Sequence, residues 1–459
     1  MLKTFPKGGI HPPENKITAE KGIKRMEVPK VVNVPIAQHI GIPAEIVVET
    51  KQKVTIGQVI AKSGGFVSSN IHSPVAGTVT KLDLIIDSSG YKKQCIVIRT
   101  DAKDPSNFEE VEEPLKTDIE LEPKEILQRI TDCGIVGLGG ATFPSQVKLN
   151  VREGTVLDYL IVNGVECEPY LTADHRLMLE KAEEIVVGIK ILMKALNLKK
   201  AVIGIENNKK DGINLFKKVI NKEDGIQVAA LQVKYPQGGE KQLVRAILGR
   251  EVPKNGLPVD VGVIVHNVGT IFAIYEAIQY NKPLIERVVT VTGKKLENPS
   301  NFWVKIGTPI KDLITEVGGL PEGTRKLVNG GPMMGKAIKN TDVPVTKGTS
   351  GILVISEEEA SRGKAENCIR CGECVFVCPM GLEPHLLMNL SEKGMYEKAN
   401  SEDIMTCIEC GSCSYVCPSN RPLLDYIRFG KNIVKKIDFI KIKNEQSTNS
   451  NIGVTACAH

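Results

Sequence analysis

Between Val156 and Tyr280 the chain alternates short Val- and Ile-rich runs with longer segments of helical character. Strands are expected at Val156–Val162, Ala201–Ile205, Ile226–Val233 and Val261–Val265. Helices are expected at Asp174–Leu196, Lys210–Ile220, Glu240–Leu248 and Gly269–Tyr280. Each strand–helix–strand step implies a right-handed crossover and so a mostly parallel sheet covered on both faces, with ligands at the carboxyl ends of its strands.

Elsewhere the pattern changes. Residues 1–115 read as a small β domain, with short strands Ala44–Thr50, Val54–Lys62 and Gly77–Asp83 separated by glycine turns. The run His72-Ser73-Pro74-Val75-Ala76-Gly77-Thr78-Val79 resembles the turn region of lipoyl and biotinyl barrel-sandwich domains. Those carriers need a lysine at the hairpin tip; none lies between Lys62 and Lys81, so the domain is read as scaffold. Asp101–Pro123, with Glu109, Glu110, Glu112, Glu113 and three prolines, reads as a solvated acidic linker. The α/β domain then covers 124–282. Residues 283–356, around Gly318-Gly319, Gly330-Gly331-Pro332 and Gly348, suggest a small α+β module of SLBB or ubiquitin-like type. Residues 357–440 form the cysteine region, and 441–459 a polar tail expected to be disordered.

Composition narrows the class. At 459 residues, 42% hydrophobic and 25% charged, the chain should fold as three or four units of about 100–200 residues each. Aromatics make up only 4%, so the cores must be Val, Ile and Leu, which favours an α/β multidomain architecture. With 59 Lys and Arg against 54 Asp and Glu, and no basic block interleaved with aromatics, nucleic acid is not a partner. Met1–Ile10 has no signal-like apolar stretch. The run Val259–Ile278 is interrupted by Asp260, His266, Asn267 and Glu276, so neither secretion nor membrane spanning is expected.

Eight of the twelve cysteines crowd into residues 368–417, which points to metal in a reducing compartment. Cys368, Cys371, Cys374 and Cys378-Pro379 form C-x-x-C-x-x-C-x-x-x-C-P, and Cys407, Cys410, Cys413 and Cys417-Pro418 repeat it. Three thiolates at this spacing hold three corners of an iron–sulfur cube, and the fourth cysteine of each run completes the other cube, as in bacterial two-cluster ferredoxins. The expected sets are therefore Cys368, Cys371, Cys374 with Cys417, and Cys407, Cys410, Cys413 with Cys378, in an α-helical ferredoxin domain. Zinc sites also use C-x-x-C pairs, but would give the third cysteines and both prolines no purpose. Gly372 and Gly411 should keep backbone close to the cubes, with Ile369, Val375, Phe376, Ile408 and Val416 keeping them dry.

Gly134–Pro144 holds Gly137, Gly139 and Gly140 but fails as a dinucleotide fingerprint: Thr142 stands at the third glycine position, and the preceding segment is helical. Three strand ends add polar loops: Asn163-Gly164-Val165-Glu166-Cys167-Glu168-Pro169, Tyr235-Pro236-Gln237-Gly238-Gly239-Glu240 and His266-Asn267-Val268-Gly269-Thr270. Helix capping accounts for any one of them, and a structural loop for the glycines; four such loops at one sheet edge favour a shared ligand.

Residues 125–275 resemble the flavin- and NADH-binding fold of the 51-kDa subunit of respiratory complex I. The start Phe5-Pro6-Lys7-Gly8-Gly9-Ile10-His11-Pro12-Pro13, the loop Gly137–Pro144, Asn163–Pro169 and the two cysteine runs are similar, over about residues 5–430, to the RnfC family of Rnf electron-transport complexes. The resemblance implies that Gly137, Gly139, Gly140, Lys148, Asn163, Glu166, Tyr235, Gly238, Gly239, Glu240, Asn267 and Thr270 hold FMN, and that Phe143 and Glu168 meet the nicotinamide cofactor. The complex I pattern has an arginine where this chain has Leu138 and an acid where it has Gly269, and its single cluster is replaced here by two.

A chain binding NAD(H) and two [4Fe–4S] clusters needs a carrier that exchanges both hydride and single electrons, which flavin supplies. The resemblance implies an oxidoreductase subunit, peripheral on the cytoplasmic face of the membrane. Its partners would be membrane and ferredoxin-like Rnf subunits, with ferredoxin reached indirectly and electron flow coupled to Na⁺ or H⁺ movement. A microcompartment corrinoid reductase and a non-catalytic iron–sulfur relay scaffold are the competing readings. No residue decides between NADH and NADPH.

Overall fold

The computed structural model describes residues 2–108, 113–152, 154–360 and 362–455, with side chains to residue 440. Glu109, Glu110 and Glu112 of the acidic linker and the last four residues of the tail lie outside the described residues. The chain divides into two units, one of Met1–Phe5 with Pro12–Ser361, the other of Pro6–His11 with Arg362–His459.

In the larger unit, Val31–Pro35, Lys92–Thr100, Gly77–Ile86 and Lys53–Val54 form one antiparallel sheet, and Glu45–Ile46, Val59–Lys62 and Ile71–His72 a second. Val32, Val34, Ile60, Ile71, Val79, Ile96 and Ile98 interdigitate between them as a fully buried core, the period-2 inward positions of a sandwich. The expected strand Val54–Lys62 is divided at a turn containing Gly57, whose φ is +77°. The expected strand Ala44–Thr50 shrinks to two residues. Not all of residues 1–115 belong to this sandwich, because Ile23–Arg25 pairs in parallel with the strand Ser300–Lys305.

The α/β part carries four strands, β1 (Tyr159–Asn163), β2 (Ala201–Glu206), β3 (Ile226–Leu231) and β4 (Val263–Asn267), in the order β3-β2-β1-β4, every pair parallel. Leu160, Ile161 and Val162 are all buried, because helices cover both faces. The expected helix Asp174–Leu196 is two, α1 (Ala173–Glu180) and α2 (Ala182–Ala195), separated at the non-helical Lys181. They are followed by α3 (Lys210–Val219), α4 (Glu240–Leu248) and α5 (Val268–Tyr280). A Cβ on Gly188 of α2 would lie 2.5 Å from the Ile271 carbonyl oxygen of α5, so glycine lets these helices meet backbone to backbone.

Residues 283–356 supply five strands of a six-stranded mixed sheet, completed by Ile23–Arg25, with one helix, Ile310–Glu316. In the smaller unit, helices Pro384–Glu392 and Tyr396–Ser401 pack against the long helix Leu423–Thr455. The tail expected to be disordered from residue 441 is thus helical to Thr455. No glycine or proline interrupts the chain between Gly430 and Gly453, so nothing local stops the helix at the change in polarity. No helix among the described residues is long and apolar enough to cross a membrane.

Candidate functional site

The four loops expected at one sheet edge converge. Asn163 and Asn267 are register partners at the ends of β1 and β4. Asn163 donates through Nδ2 to the Gly238 carbonyl at 2.9 Å, tying the β1 end to the loop before α4. Asn267 caps α5 by accepting the Gly269 amide at 2.8 Å, and donates from Nδ2 to Asp174 Oδ2 at 2.6 Å. The Leu138 amide donates to the Thr270 hydroxyl at 2.9 Å, and a Cβ on Gly139 would lie 3.0 Å from Asn267 Cβ, so the glycine loop rests on the β4–α5 connection. Gly137 and Phe143 close that loop by a backbone bond of 2.9 Å, leaving Gly140, at φ +132°, with open space on its Cα. Lys148, on the short helix Ser145–Leu149, ion-pairs with Glu240 at the start of α4. The Gly238 amide donates to Cys167 Sγ, Gly239 is the N-cap of α4, and buried Tyr235 hydrogen-bonds the Glu168 carboxyl.

The acids of the β1 loop are taken up by backbone amides. Glu166 accepts from the Asp174 and His175 amides at 2.7 and 3.1 Å and so caps α1 from outside the helix. Glu168 accepts from the Met333 and Met334 amides at 3.2 and 2.7 Å; a Cβ on Gly331 would sit 2.2 Å from its Oε2. Burial pushes the Glu168 carboxyl up to about 7. Lys16, which the sequence did not single out, donates to the carbonyls of Glu166, Glu168 and Leu171 at 2.8, 2.9 and 2.6 Å, fixing the loop from behind.

Charged side chains from other elements lie beside Leu138 and Gly269. Buried Arg287 donates to the Leu138 carbonyl at 3.5 Å and to that of Lys347. Asp174 Oδ1 lies 3.7 Å from where a Gly269 Cβ would be. Burial, then the neighbouring Glu166 charge, pushes Asp174 up to about 7. Lys347, buried, donates to the Asn70 and Gly134 carbonyls, and burial brings its ammonium down to about 7. Arg287 had a legible signal as a charge opening the apolar strand Glu286–Thr292; Lys16 and Lys347 had none.

The edge suits a ligand that combines an anion with a polar ring. Lys148 and the amides at the α4 and α5 starts can take an anion. Ser145 Oγ and His266 Nε2 are buried without a hydrogen-bond partner among the described residues, and burial with the nearby Lys148 charge holds His266 neutral.

In the smaller unit the two cysteine loops adopt the same backbone: Gly372 and Gly411 both have φ +80°, Arg370 and Glu409 both +59°. Cys378, Cys407, Cys410 and Cys413 line one cavity with Leu387, Leu424 and Ile427. Burial chiefly raises the thiols of Cys407, Cys410 and Cys413, and proximity to Cys378 raises them further; Cys417 stands in the same relation to Cys374. The fourth cysteine of each run thus faces the other run. No three Cys, His, Asp or Glu side chains among the described residues sit close enough to hold one metal ion. Of the residues expected to shield the cubes, Ile369 and Phe376 are 67% and 82% exposed, whereas Val375, Ile408 and Val416 are half-buried. At the second, the terminal helix places Lys431 on the Cys407 carbonyl, and Lys431 and Arg428 on Glu409. The chain start joins this unit: the Gly9 amide donates to the Val377 carbonyl at 2.9 Å, and a Cβ on Gly8 would lie 2.6 Å from the Cys378 carbonyl carbon.

Four family models match in succession: the RnfC barrel sandwich hybrid domain at residues 3–103, the Nuo51 FMN-binding domain at 130–276, the SLBB domain at 288–337 and the 4Fe-4S dicluster domain at 360–457. The chain is 47% identical to the C subunit of the proton-translocating ferredoxin:NAD(+) oxidoreductase complex of Clostridium ljungdahlii, over 94% of each chain. It is 43% identical to the Na(+)-translocating counterpart of Acetobacterium woodii, over 93% of this chain and 96% of that one. The chain belongs to the RnfC family. With the RnfC relative of Rhodobacter capsulatus, the C subunit of an ion-translocating oxidoreductase complex, identity is 44% over 94% of this chain and 83% of that one. An air-oxidized NAD+-reducing [NiFe]-hydrogenase shares the fold alone, at TM-score 0.50 and 17% identity over 68% of this chain and 66% of that one. As an RnfC chain with FMN-binding and dicluster domains, it is an oxidoreductase subunit whose cofactors are FMN and two [4Fe–4S] clusters.

Proposed function

We propose that this subunit is the NAD-reactive arm of its complex, carrying electrons between NADH and two iron–sulfur clusters by way of FMN, in ferredoxin:NAD oxidoreduction coupled to Na⁺ or H⁺ movement elsewhere in the assembly. The observation that carries the reading is the convergence of Gly139, Asn163, Gly238, Asn267 and Thr270 at one sheet edge, in a chain that also holds the paired cysteine runs. FMN supplies a centre that exchanges hydride with nicotinamide and single electrons with iron–sulfur clusters.

The chain's own residues bind and orient. Lys148 and the amides after Gly238 and Asn267 hold the flavin phosphate, and Gly137, Gly139 and Gly140 let its ring approach the backbone. Asn163, Asn267 and Thr270 fix the edge, while Tyr235, Glu166 and Glu240 hold the surrounding loops. Phe143 and Glu168 meet the nicotinamide, Glu168 being held in place by two amides and Tyr235. Cys368, Cys371, Cys374 and Cys417 hold one cluster; Cys407, Cys410, Cys413 and Cys378 hold the other. The subunit sits on the cytoplasmic face of the membrane, docked on membrane-spanning partners.

Anaerobic reconstitution followed by titration with NADH and NADPH tests this: flavin absorbance should bleach with NADH, and Glu168→Gln should raise the NADH concentration needed. Zinc in place of iron, or no flavin retained, would overturn the reading.

A further inference from the structure

The two cysteine loops share one backbone but not one environment, and the second shows what a cover looks like. Around the second loop, Cys410 and Cys413 are 8% exposed and Ser412 is buried. Leu424 and Ile427 of the terminal helix wall its cavity, and Glu409 is paired with Arg428 and Lys431 of the same helix. Around the first loop, the equivalent Cys371 and Glu373 are exposed, Cys368 with them. Ile369 matches the half-buried Ile408 yet stands 67% exposed, and Phe376, at 82%, is more exposed than its counterpart Tyr415 at 50%. Where the second loop has the paired Glu409, the first has Arg370, exposed, of opposite charge, and with no ion pair or hydrogen bond among the described residues.

Two large apolar side chains standing in water beside metal-ligand thiols mark a surface that is covered in use. The thiols say what kind of occupant it takes. A centre this open to solvent serves an electron carrier, and the apolar rim with one unmatched cation gives that carrier its shape and sign.

We propose that the face formed by Ile369, Arg370 and Phe376 seats a second iron–sulfur protein, whose rim offers a carboxylate to Arg370 and whose cluster exchanges electrons with that of Cys368, Cys371, Cys374 and Cys417. The Cys378, Cys407, Cys410 and Cys413 cluster is the inner one. Each encounter moves one electron and no atom, one centre being oxidised by one as the other is reduced by one. The inference rests on the two-cluster part of the proposed function and not on its flavin part.

The test uses the assembled complex and compares Arg370→Glu and Phe376→Glu with wild type and with Tyr91→Glu, a control at an exposed position in the larger unit. Electron flow from reduced ferredoxin to NAD⁺ should fall about tenfold or more in the first two, with weakened salt dependence for Arg370→Glu, and stay unchanged in the control. Iron content and NADH oxidation by ferricyanide should hold in all. Oxidative footprinting adds a readout free of catalysis: Phe376 should be oxidised rapidly in the isolated holo-chain and about tenfold more slowly in the complex. Unchanged ferredoxin-linked rates, an equal loss in the control, or a Phe376 as reactive in the complex as outside it would each overturn the proposal. So would a Phe376 already protected in the isolated chain, which would make the chain's other unit the cover. If wild type fails with NADH and ferricyanide while Phe376 is protected in the complex, the flavin reading falls and this one stands.

Discussion

Asn267 and Asp174 are joined by a 2.6 Å hydrogen bond from amide to carboxylate, which links the cap of α5 to the first turn of α1. Through it the β4 end and the β1 loop share one acid, because the Asp174 backbone amide in turn donates to Glu166. Asp174 is also the negative charge that supports the buried Arg287 guanidinium.

Replacing Asp174 by leucine should therefore cost more than one contact. Asn267 Nδ2 loses its acceptor and Arg287 its countercharge, and unpaired buried groups of this kind cost about 2–4 kcal/mol together. The expected result is a lower melting temperature and loss of bound flavin. Asp174→Asn, which can still accept from Asn267, should retain part of both.

A pH dependence follows from Glu168. Burial raises its carboxyl from an ordinary value near 4.5 to about 7, so between those limits the folded chain holds a proton that the unfolded chain has released. Stability should fall as pH rises through that window and level off above it, by at most about 1.4 kcal/mol per pH unit for one proton. Chemical denaturation at pH 5, 6, 7 and 8 should show the Glu168→Gln variant with a shallower decline than wild type; parallel curves would contradict the assignment.

The crossing of the cysteine runs predicts which cluster each ligand serves. Cys378→Ser should damage the cluster held by Cys407, Cys410 and Cys413 and spare the one held by the neighbours of Cys378 in sequence. Cys417→Ser should do the reverse. Electron paramagnetic resonance of the reduced variants, paired with Cys371→Ser and Cys410→Ser, would separate the two patterns: each fourth-cysteine variant should match the substitution in the opposite run.

Gly8→Ala should act at a distance in sequence of 370 residues. Gly8 has φ +67°, and an added Cβ would press on the Val377 oxygen and the Cys378 carbonyl carbon at 2.6 Å. Backbone cannot give way as a side-chain tip does, so the loop carrying Cys378 must shift. Iron should fall from about eight toward about four per chain, since one cube keeps all its ligands.

Much of this was readable from the residues alone, for reasons that also mark where reading stopped. The four parallel strands, the loops that follow three of them and the glycine loop beside them follow from local apolar runs and glycine turns. The break at Lys181 has no local signal, and the strands Glu45–Ile46 and Ile23–Arg25 are too short to carry a pattern. Lys16 and Lys347 act through partners more than 100 residues away, and Arg287 reaches Leu138, 149 residues away, and Lys347, 60 residues away, all on carbonyls that any residue possesses. Glu166 and Glu168 were found as polar residues of the right loop; that each carboxylate would be taken up by amides depended on where α1 and the Met333 turn lie. Ile369 and Phe376 show the limit of composition: an apolar residue beside a ligand reads as shielding until its surroundings are known.

The threading of residues 6–11 into the unit completed by residues 362–459 has a consequence for how the protein is made. Gly9 is synthesised 368 residues before Val377, the residue whose carbonyl its amide bonds. At about 5–20 residues per second the opening segment waits tens of seconds for its counterpart. The iron-bearing portion therefore cannot be excised as one contiguous cassette, and changes within residues 6–11 should disturb metal loading at cysteines more than 350 residues along the chain.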